Sequence, residues 1–209
     1  MYTDVLPLHG RKCLDRLQAL KAPALSGWTL AGGTGLAFHL RHRRSVDLDF
    51  FRTTPFRAED LHAAFRTGGA YETLQEARDT LTVLLWRTKL SFFRVSAPML
   101  FPAVPERFFA VADLRDIALM KLVALGGRGA RKDFIDLYFI LQQGVTLPDL
   151  FAWLPRKYGR GRANVYHLLK SLTWFADAET EPMPRMLKPC TWSECKAFFL
   201  RQAHDLVLA

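Results

Sequence analysis

The sequence has few cysteines and no long apolar run. Cys13, Cys190 and Cys195 are the only thiols among its 209 residues, and no pair has the CxxC spacing of a zinc site. An odd, sparse set of cysteines also argues against a disulfide framework and fits a reducing compartment. The first residues, MYTDVLPLHGRK, contain no apolar signal-peptide core, and no hydrophobic stretch reaches the length of a membrane span. These absences predict a soluble, cytoplasmic protein without a membrane partner.

The sequence also contains fewer acidic than basic residues. The chain has 20 Asp and Glu against 29 Lys and Arg, which gives a formal net charge of +9. This charge favours a polyanionic partner, and nucleic acid fits better than a membrane because no strongly amphipathic basic helix is evident. The alternative is an ordinary basic surface. Half of the residues are hydrophobic, enough for a sizeable core, and nothing in the sequence requires a dimer.

The stretch 28–51, WTLAGGTGLAFHLRHRRSVDLDFF, carries the most informative chemistry. Its last six residues alternate as in a β-strand, so three apolar side chains would face the core and two carboxylates would share the other face (Val46, Leu48 and Phe50; Asp47 and Asp49). Two carboxylates on one strand face suit a hard divalent cation such as Mg²⁺ or Mn²⁺, which takes its remaining ligands from water and phosphates.

A group of glycines between the first apolar run and the DxD strand adds a second signal. Gly32 and Gly33 predict a turn in which a phosphate can approach the backbone closely, and Thr34 could cap the following helix and offer its hydroxyl to the same anion. Ser45 would face the same side as Asp47 and contact nucleotide or metal. Taken singly, the glycines can be an ordinary turn and the DxD pair a solvated strand end. Their order along the chain is more specific than either.

Two long motifs resemble one protein family. Residues 32–51, GGTGLAFHLRHRRSVDLDFF, are similar to the signature of the nucleotidyltransferase-like AbiEii/AbiGii toxins, which share the DNA polymerase β-type fold. Residues 116–125 and 128–138, DIALMKLVAL and RGARKDFIDLY, are similar to the second signature of that family. The resemblance implies an α+β fold, with a mixed sheet flanked by helices over residues 1–105 and a helical subdomain over 106–209. We place the boundary at the proline-rich linker that ends at Pro105, and expect the active cleft between the two parts.

The resemblance also implies an activity. It points to a Mg²⁺-dependent nucleotidyltransferase that moves NMP from an NTP to an acceptor, with RNA, and tRNA in particular, as the expected acceptor. Such a protein would be the toxin of a toxin–antitoxin or abortive-infection system, active in phage defence and paired with a cognate antitoxin protein. Asp47 and Asp49 would hold the metal, and Gly32, Gly33, Thr34 and Ser45 would contact the triphosphate.

Several charged residues of the two motifs are also candidates for the active site. Arg44 closes the basic cluster 41–44, which can be a solvated helix end or a contact for nucleotide or nucleic-acid phosphates. Asp133 and Asp136 lie one helical turn apart, beside an apolar stripe, and would by default be a salt-bridged surface with nearby cations. With the resemblance, Lys121 becomes a phosphate-binding cation and Asp136 an active-site acid, while Asp133 would orient either of them.

One departure from the family pattern concerns a third carboxylate, which polymerase β-type enzymes usually carry on a later strand. The matching stretch 89–93, KLSFF, offers Lys89 and Ser91 but no acid, and Asp79 is the nearest alternative. Either one metal is enough, or an acid from elsewhere substitutes. Two other functions therefore remain open: a catalytically silent module that binds nucleic acid or a partner protein, and a transferase that modifies a protein hydroxyl.

The remaining periodicity fixes several elements. Apolar spacing predicts helices over 8–20, 35–42, 131–142, 147–158 and 163–176, and β-rich runs predict a hairpin of strands 80–86 and 89–95. Thr191 and Glu194 have the spacing of a capping box and predict the start of a last helix.

Overall fold

The computed structural model describes residues 1–161 and 164–208 and divides the chain into two compact units. The first unit contains residues 1–39 and 44–113, and the second contains residues 40–43 together with the chain from Leu114 onward. This differs from the predicted boundary after residue 105. Phe109–Val111 forms a strand that pairs in parallel with Thr29–Leu30, so the chain as far as Asp113 belongs to the first unit.

A mixed, seven-stranded sheet forms the first unit within the described residues. Its spatial order is β3-β4-β5-β2-β1-β7-β6. The pairs β1–β7 and β2–β5 are parallel, and the other neighbours are antiparallel. The strands in chain order are β1 Thr29–Leu30, β2 Leu48–Arg52, β3 Tyr71–Ala77, β4 Thr80–Leu85, β5 Thr88–Arg94, β6 Val104–Glu106 and β7 Phe109–Val111.

Helices of the first unit cover one face of this sheet. They are α1 (Leu8–Leu20), α2 (Gly32–Leu40, whose last residue belongs to the second unit) and α3 (Ala58–Gly68). Leu48 and Phe50 of β2 are fully buried, and they join one apolar cluster with side chains of α1 and α3 such as Leu14 and Phe65. Burial of this face fixes the strand register, because a shift by one residue would turn the apolar set outward.

The second unit is helical in its described part. Its helices are α4 Leu114–Arg128, α5 Arg131–Leu141, α6 Leu147–Tyr158, α7 Val165–Ser171, α8 Ala176–Glu179 and α9 Trp192–Leu208. Helix α5 is central and packs against α4, α8 and α9, with Phe134 in contact with the rings of Phe175, Trp192 and Phe199. The predicted α+β fold is confirmed. No helix in the described parts of the chain is both long and apolar enough to cross a bilayer.

The observed bounds of several elements differ from the predicted bounds. The predicted strand 46–51 begins at Leu48, and Val46 is 55% exposed rather than part of the core, because pairing with β5 starts at Leu48. The helix predicted over 163–176 ends earlier, at Ser171, as α7; residues 172–175 separate it from α8, which begins at Ala176. Ala163, the first residue of the predicted helix, lies outside the described residues.

Candidate active site

The glycines after β1 form the first turn of α2 rather than a loop before the helix. Thr34 is consequently inside the helix and is not its cap. Thr34 is 2% exposed, and its hydroxyl hydrogen-bonds to Oγ of Ser45 (2.7 Å) and to the carbonyl oxygen of Asp47. These bonds hold the segment that enters β2 against the start of α2, so they fix the backbone on which Asp47 is carried.

Asp49 lies beside the same helix start. The backbone N–H of Ala31 donates to the carbonyl of Asp49 (3.0 Å), which brings the end of β1 next to this residue. Gly32 has φ +62°, and a Cβ at this position would lie 3.2 Å from Oδ2 of Asp49. The site therefore needs glycine here both for the backbone angle and for the space beside the carboxylate.

Strand β5 completes the surroundings of the two carboxylates. Asp49 lies opposite Ser91 in the parallel register, and Nζ of Lys89 lies 3.7 Å from Oδ2 of Asp47. Both side chains of this ion pair are nearly half exposed, so water screens it and a ligand can replace it at small cost. The position where a third acid was expected, beside Asp49, is thus occupied by Ser91.

Asp79 does not substitute for the missing acid. It lies in the turn between β3 and β4 with φ +65°, and Arg94 donates to its carboxylate at 3.2 and 3.5 Å. Thr80, the next residue, pairs with Phe93 rather than with Ser91. Asp79 is therefore held away from the Asp49–Ser91 row of the sheet.

Asp47 and Asp49 fit a divalent cation by the chemistry of their donors. Carboxylate oxygens are the ligands that Mg²⁺ prefers, and the space that a Cβ of residue 32 would fill adjoins Asp49. Within residues 1–161 and 164–208, no group of three or more His, Cys, Asp and Glu side chains is arranged to hold a metal. The two carboxylates would therefore share an ion with phosphate oxygens and water.

The assigned residues of the second unit form a buried ionic network. Arg43 donates to both oxygens of Asp136 (2.7 and 2.8 Å), and His42 Nε2 lies 2.8 Å from Oδ1. Lys121 Nζ lies 2.6 Å from Asp136 and 2.7 Å from Asp133. Arg128 also donates to Asp133, at 2.7 and 3.1 Å. Both aspartates are fully buried, so their charges require these partners.

Electrostatics keep both aspartates ionised. Burial by itself raises the pKa of Asp136, but the charges of Lys121 and Arg43 and the hydrogen bonds from His42 and Arg43 outweigh it, and the pKa lies well below its usual range. The pKa of Asp133 is lowered in the same way by Lys121 and Arg128. Burial lowers the pKa of His42, which is therefore neutral and donates from Nε2.

The structure thus groups the predicted site residues within two units. Gly32, Gly33, Thr34, Ser45, Asp47 and Asp49 lie together around the start of α2 and β2, while Lys121, Asp133 and Asp136 form the network. Arg44 donates to the carbonyl of Asp4 (2.8 Å). His42 and Arg43 fit neither interpretation of the basic cluster, because both are buried as partners of Asp136.

Comparisons with known proteins agree with this fold. Residues 15–205 match the family described as nucleotidyl transferase AbiEii toxin, Type IV TA system. An uncharacterized protein of Aquifex aeolicus is 35% identical over 203 residues, which cover 93% of this chain and 94% of that protein.

Solved structures show the same fold at lower identity. MenT4, a nucleotidyltransferase toxin of Mycobacterium tuberculosis, superposes with a TM-score of 0.59 at 16% identity, over 96% of this chain and 83% of that one. JHP933 of Helicobacter pylori gives a TM-score of 0.54 at 16% identity, over 96% and 93%. Since the family match spans nearly the whole chain, this protein is a nucleotidyltransferase of the AbiEii toxin family.

Proposed function

We propose that this protein transfers NMP from an NTP to an RNA acceptor, tRNA in particular, in a Mg²⁺-dependent reaction. The observation that carries the proposal is the position of two carboxylates at the start of the nine-residue helix α2: Asp49 lies beside Gly32, and the Thr34 hydroxyl holds the backbone of Asp47. A helix N-terminus presents backbone N–H groups and positive dipole to a phosphate, next to carboxylates that suit a cation. A cognate antitoxin protein, as expected for a type IV system, would control the activity.

Each residue of the site has a proposed task. The N–H groups at Gly32 and Gly33 bind the triphosphate, Arg44 and Ser45 add contacts to the nucleotide, and Thr34 keeps the Asp47 segment in place. Asp47 and Asp49 would hold Mg²⁺, which when bound neutralises phosphate charge and orients the reacting oxygens. Lys121 remains a candidate phosphate-binding cation, whose position Asp133 and Asp136 would set.

The reaction would be an in-line displacement. A hydroxyl oxygen of the acceptor bonds to the α-phosphorus, the bond to the bridging oxygen breaks, pyrophosphate leaves, and the hydroxyl proton passes to solvent. Catalysis of this kind rests on positioning and electrostatic stabilisation rather than on a protein nucleophile. The net charge of +9 supports RNA as the acceptor.

The test incubates the protein with Mg²⁺, each α-labelled NTP in turn and total cellular RNA. We expect label in RNA with one preferred nucleotide, and a loss of about a hundredfold or more in Asp47→Asn, since the carboxylate charge is removed. Asp205→Asn, at an exposed acid of α9, is the matched control and should keep full activity.

Two results would contradict this proposal. Label on protein would assign the reaction to a polypeptide hydroxyl. No label from folded protein would favour the second candidate, a silent module that binds nucleic acid or a partner protein. The observation in favour of that candidate is Ser91, which stands where a third carboxylate was expected. RNA binding would then survive Asp47→Asn and weaken steeply with salt.

A further inference from the structure

The face of the sheet that carries the two carboxylates also carries two phenylalanines. Side chains alternate along β2, so Phe51 lies on the same face as Asp49, about 7 Å further along the strand. Phe93 of β5 is its register partner, and the two rings stack with centroids 5.3 Å apart. Both are only partly buried, whereas Phe50 and Phe92 on the other face are 0% and 1% exposed. The face therefore presents an aromatic surface beside the carboxylates.

A cavity of about 300 Å³ adjoins this aromatic surface. Phe51 lines it, together with Thr29, which pairs with Phe51 across β1 and β2 and so shares its face. The remaining lining is a mixture of polar and aliphatic groups, including Gly27, Thr54, Val95 and Met99. An open cavity of this size, with one aromatic wall and several hydroxyls, matches a nucleoside better than a long apolar chain.

The cavity lies at the opposite end of the β1–β2 pair from the start of α2. Strands β1 and β2 are antiparallel, so the end of β1, where α2 begins, is beside the start of β2. The cavity is at the other end of this pair, next to the start of β1 and the end of β2. Along β2 the order is therefore Asp47, then Asp49 with the start of α2 beside it, then the cavity. In an in-line displacement the attacking oxygen approaches opposite the leaving group, so a triphosphate held at α2 leaves the cavity end to the acceptor.

Arg52 does not add charge to the Phe51 side of the cavity. By the alternation along β2 its side chain lies on the other face, where its guanidinium is 4.4 Å from the ring centroid of Trp28. The aromatic wall is therefore the feature that would recognise a ligand. Base stacking on a protein ring is tolerant of sequence, because every base has an aromatic face.

We propose that this cavity binds the 3′-terminal nucleoside of a single-stranded RNA acceptor, with its base stacked on Phe51. The inference rests on the proposed nucleotidyl transfer to RNA and names the part of the site that recognises the acceptor. Phe51 would be a binding residue for the acceptor, and Phe93 would hold its ring in place.

Fluorescence of 2-aminopurine tests this proposal without turnover. The probe is a short single-stranded oligoribonucleotide with 2-aminopurine at its 3′ end or, as a second probe, at its 5′ end, and no NTP is present. We expect quenching by the protein at the 3′ position only. Phe51→Leu, which removes the ring but keeps an apolar side chain, should abolish the quenching and raise the Kd for RNA about tenfold. The KM for NTP should stay unchanged.

Thr54→Glu is a second variant, at an exposed position that lines the cavity, so it does not depend on repacking. Its added negative charge should also weaken RNA binding several-fold. Thr73→Glu is the matched control: Thr73 is exposed but pairs with the buried Val83, on the face opposite the carboxylates, and should bind RNA as the unaltered protein does.

The outcomes separate the two proposals. Quenching at the 3′ end without any label transfer would support the cavity as an RNA site and contradict the reaction. If label is transferred but 2-aminopurine is quenched equally at both ends, the cavity assignment is overturned. The same holds if Phe51→Leu quenches the 3′ probe as strongly as the unaltered protein does. A raised KM for NTP in Phe51→Leu would also overturn the assignment, since the cavity would then hold the donor nucleotide. Thermal unfolding of each variant shows that the differences come from folded protein.

Discussion

At the scale of single residues, the most consequential position is Ser91. It lies opposite Asp49 on the neighbouring strand, where a carboxylate would complete a set of three. Lys89, two residues earlier, instead places a positive charge 3.7 Å from Asp47. Ser91 supplies no charge, so two carboxylates attract a divalent cation more weakly than three would. Binding of the metal should therefore depend strongly on the phosphates that arrive with the nucleotide.

Replacing Ser91 tests the effect of a third carboxylate. Ser91→Asp places a buried carboxylate beside Asp49, so without Mg²⁺ the free energy of unfolding should fall by about 2 kcal/mol because like charges repel and burial disfavours them. With Mg²⁺ the variant should recover more stability than the unaltered protein does. Urea unfolding in EDTA and in Mg²⁺ measures both effects. Ser91→Asn has the same size without the charge, and an equal response to Mg²⁺ in both variants would contradict the prediction.

At the scale of elements, the start of α2 does most to shape the site. Its first turn contributes Gly32 beside Asp49 and the Thr34 hydroxyl that holds the Asp47 segment. The position of β2 therefore depends on the start of α2. A change in the first turn of α2 should reach both carboxylates.

The variant Gly32→Ala isolates this effect. An alanine at φ +62° costs about 1–2 kcal/mol of stability, and its Cβ would crowd Oδ2 of Asp49 at 3.2 Å. We expect nucleotidyl transfer to fall about tenfold or more, since small displacements of reacting groups are costly. Gly144→Ala is the control, because Gly144 has φ +91° with nothing within 4 Å of its Cβ position. It should lose similar stability and keep its activity; equal losses of activity would show that backbone strain alone is responsible.

The sequence predicted those elements whose ends are decided locally. The bounds of α1 and α6 are as predicted, and α6 is closed at its start by the Thr146–Asp149 capping box. The Thr191–Glu194 box is likewise confirmed at the start of α9. The predicted start of β2, Val46, was wrong by two residues. Pairing with β5 determines where the strand begins, and that pairing starts at Leu48. A helix cap is determined by residues close together in the sequence, whereas the ends of a strand depend on pairing with residues that are distant in the sequence.

The same contrast applies to the site. The carboxylate pair and the glycines were predicted because their chemistry is contiguous in the chain. Of the partners of Asp136, Lys121 is one of the nearby cations that the sequence predicted. His42 and Arg43 were missed, since they lie more than 90 residues earlier and were interpreted as part of a basic cluster. Phe51 and Phe93 were also missed as a surface, although strand alternation from Asp49 would have placed Phe51 on the carboxylate face.

At the scale of the whole molecule, buried titratable groups link stability to pH. Burial lowers the pKa of His42 and of His39, so the unfolded chain binds these protons more readily than the folded one. The stability they contribute is present above the unfolded-state pKa, about 6.5, and is lost as the pH falls below it. Asp133 and Asp136 have lowered pKa values, so their contribution persists to about pH 4 and is lost under more acidic conditions.

The free energy of unfolding should accordingly decrease between pH 7.5 and pH 5, and more steeply below pH 4. His42→Gln keeps a side-chain donor for Asp136 but does not titrate, so the decrease above pH 5 should be smaller in this variant. Urea unfolding across this pH range measures the slope. His204→Gln, at an exposed histidine, is the control and should follow the unaltered protein. If the free energy of unfolding of His42→Gln falls with pH as steeply as that of the unaltered protein, His42 does not contribute to the pH dependence.

The division of the chain into units has a consequence for recombination. The polypeptide passes from one unit to the other after His39, Arg43 and Asp113. Residues 40–43 belong to the second unit, where Arg43 bridges to Met186 and Leu187 donates to the carbonyl of His42. A gene fragment that begins at Leu114 would therefore encode the helices without two of the donors that Asp136 requires. Homologues can exchange their helical halves intact only if these four residues, embedded in the other half of the gene, travel with them.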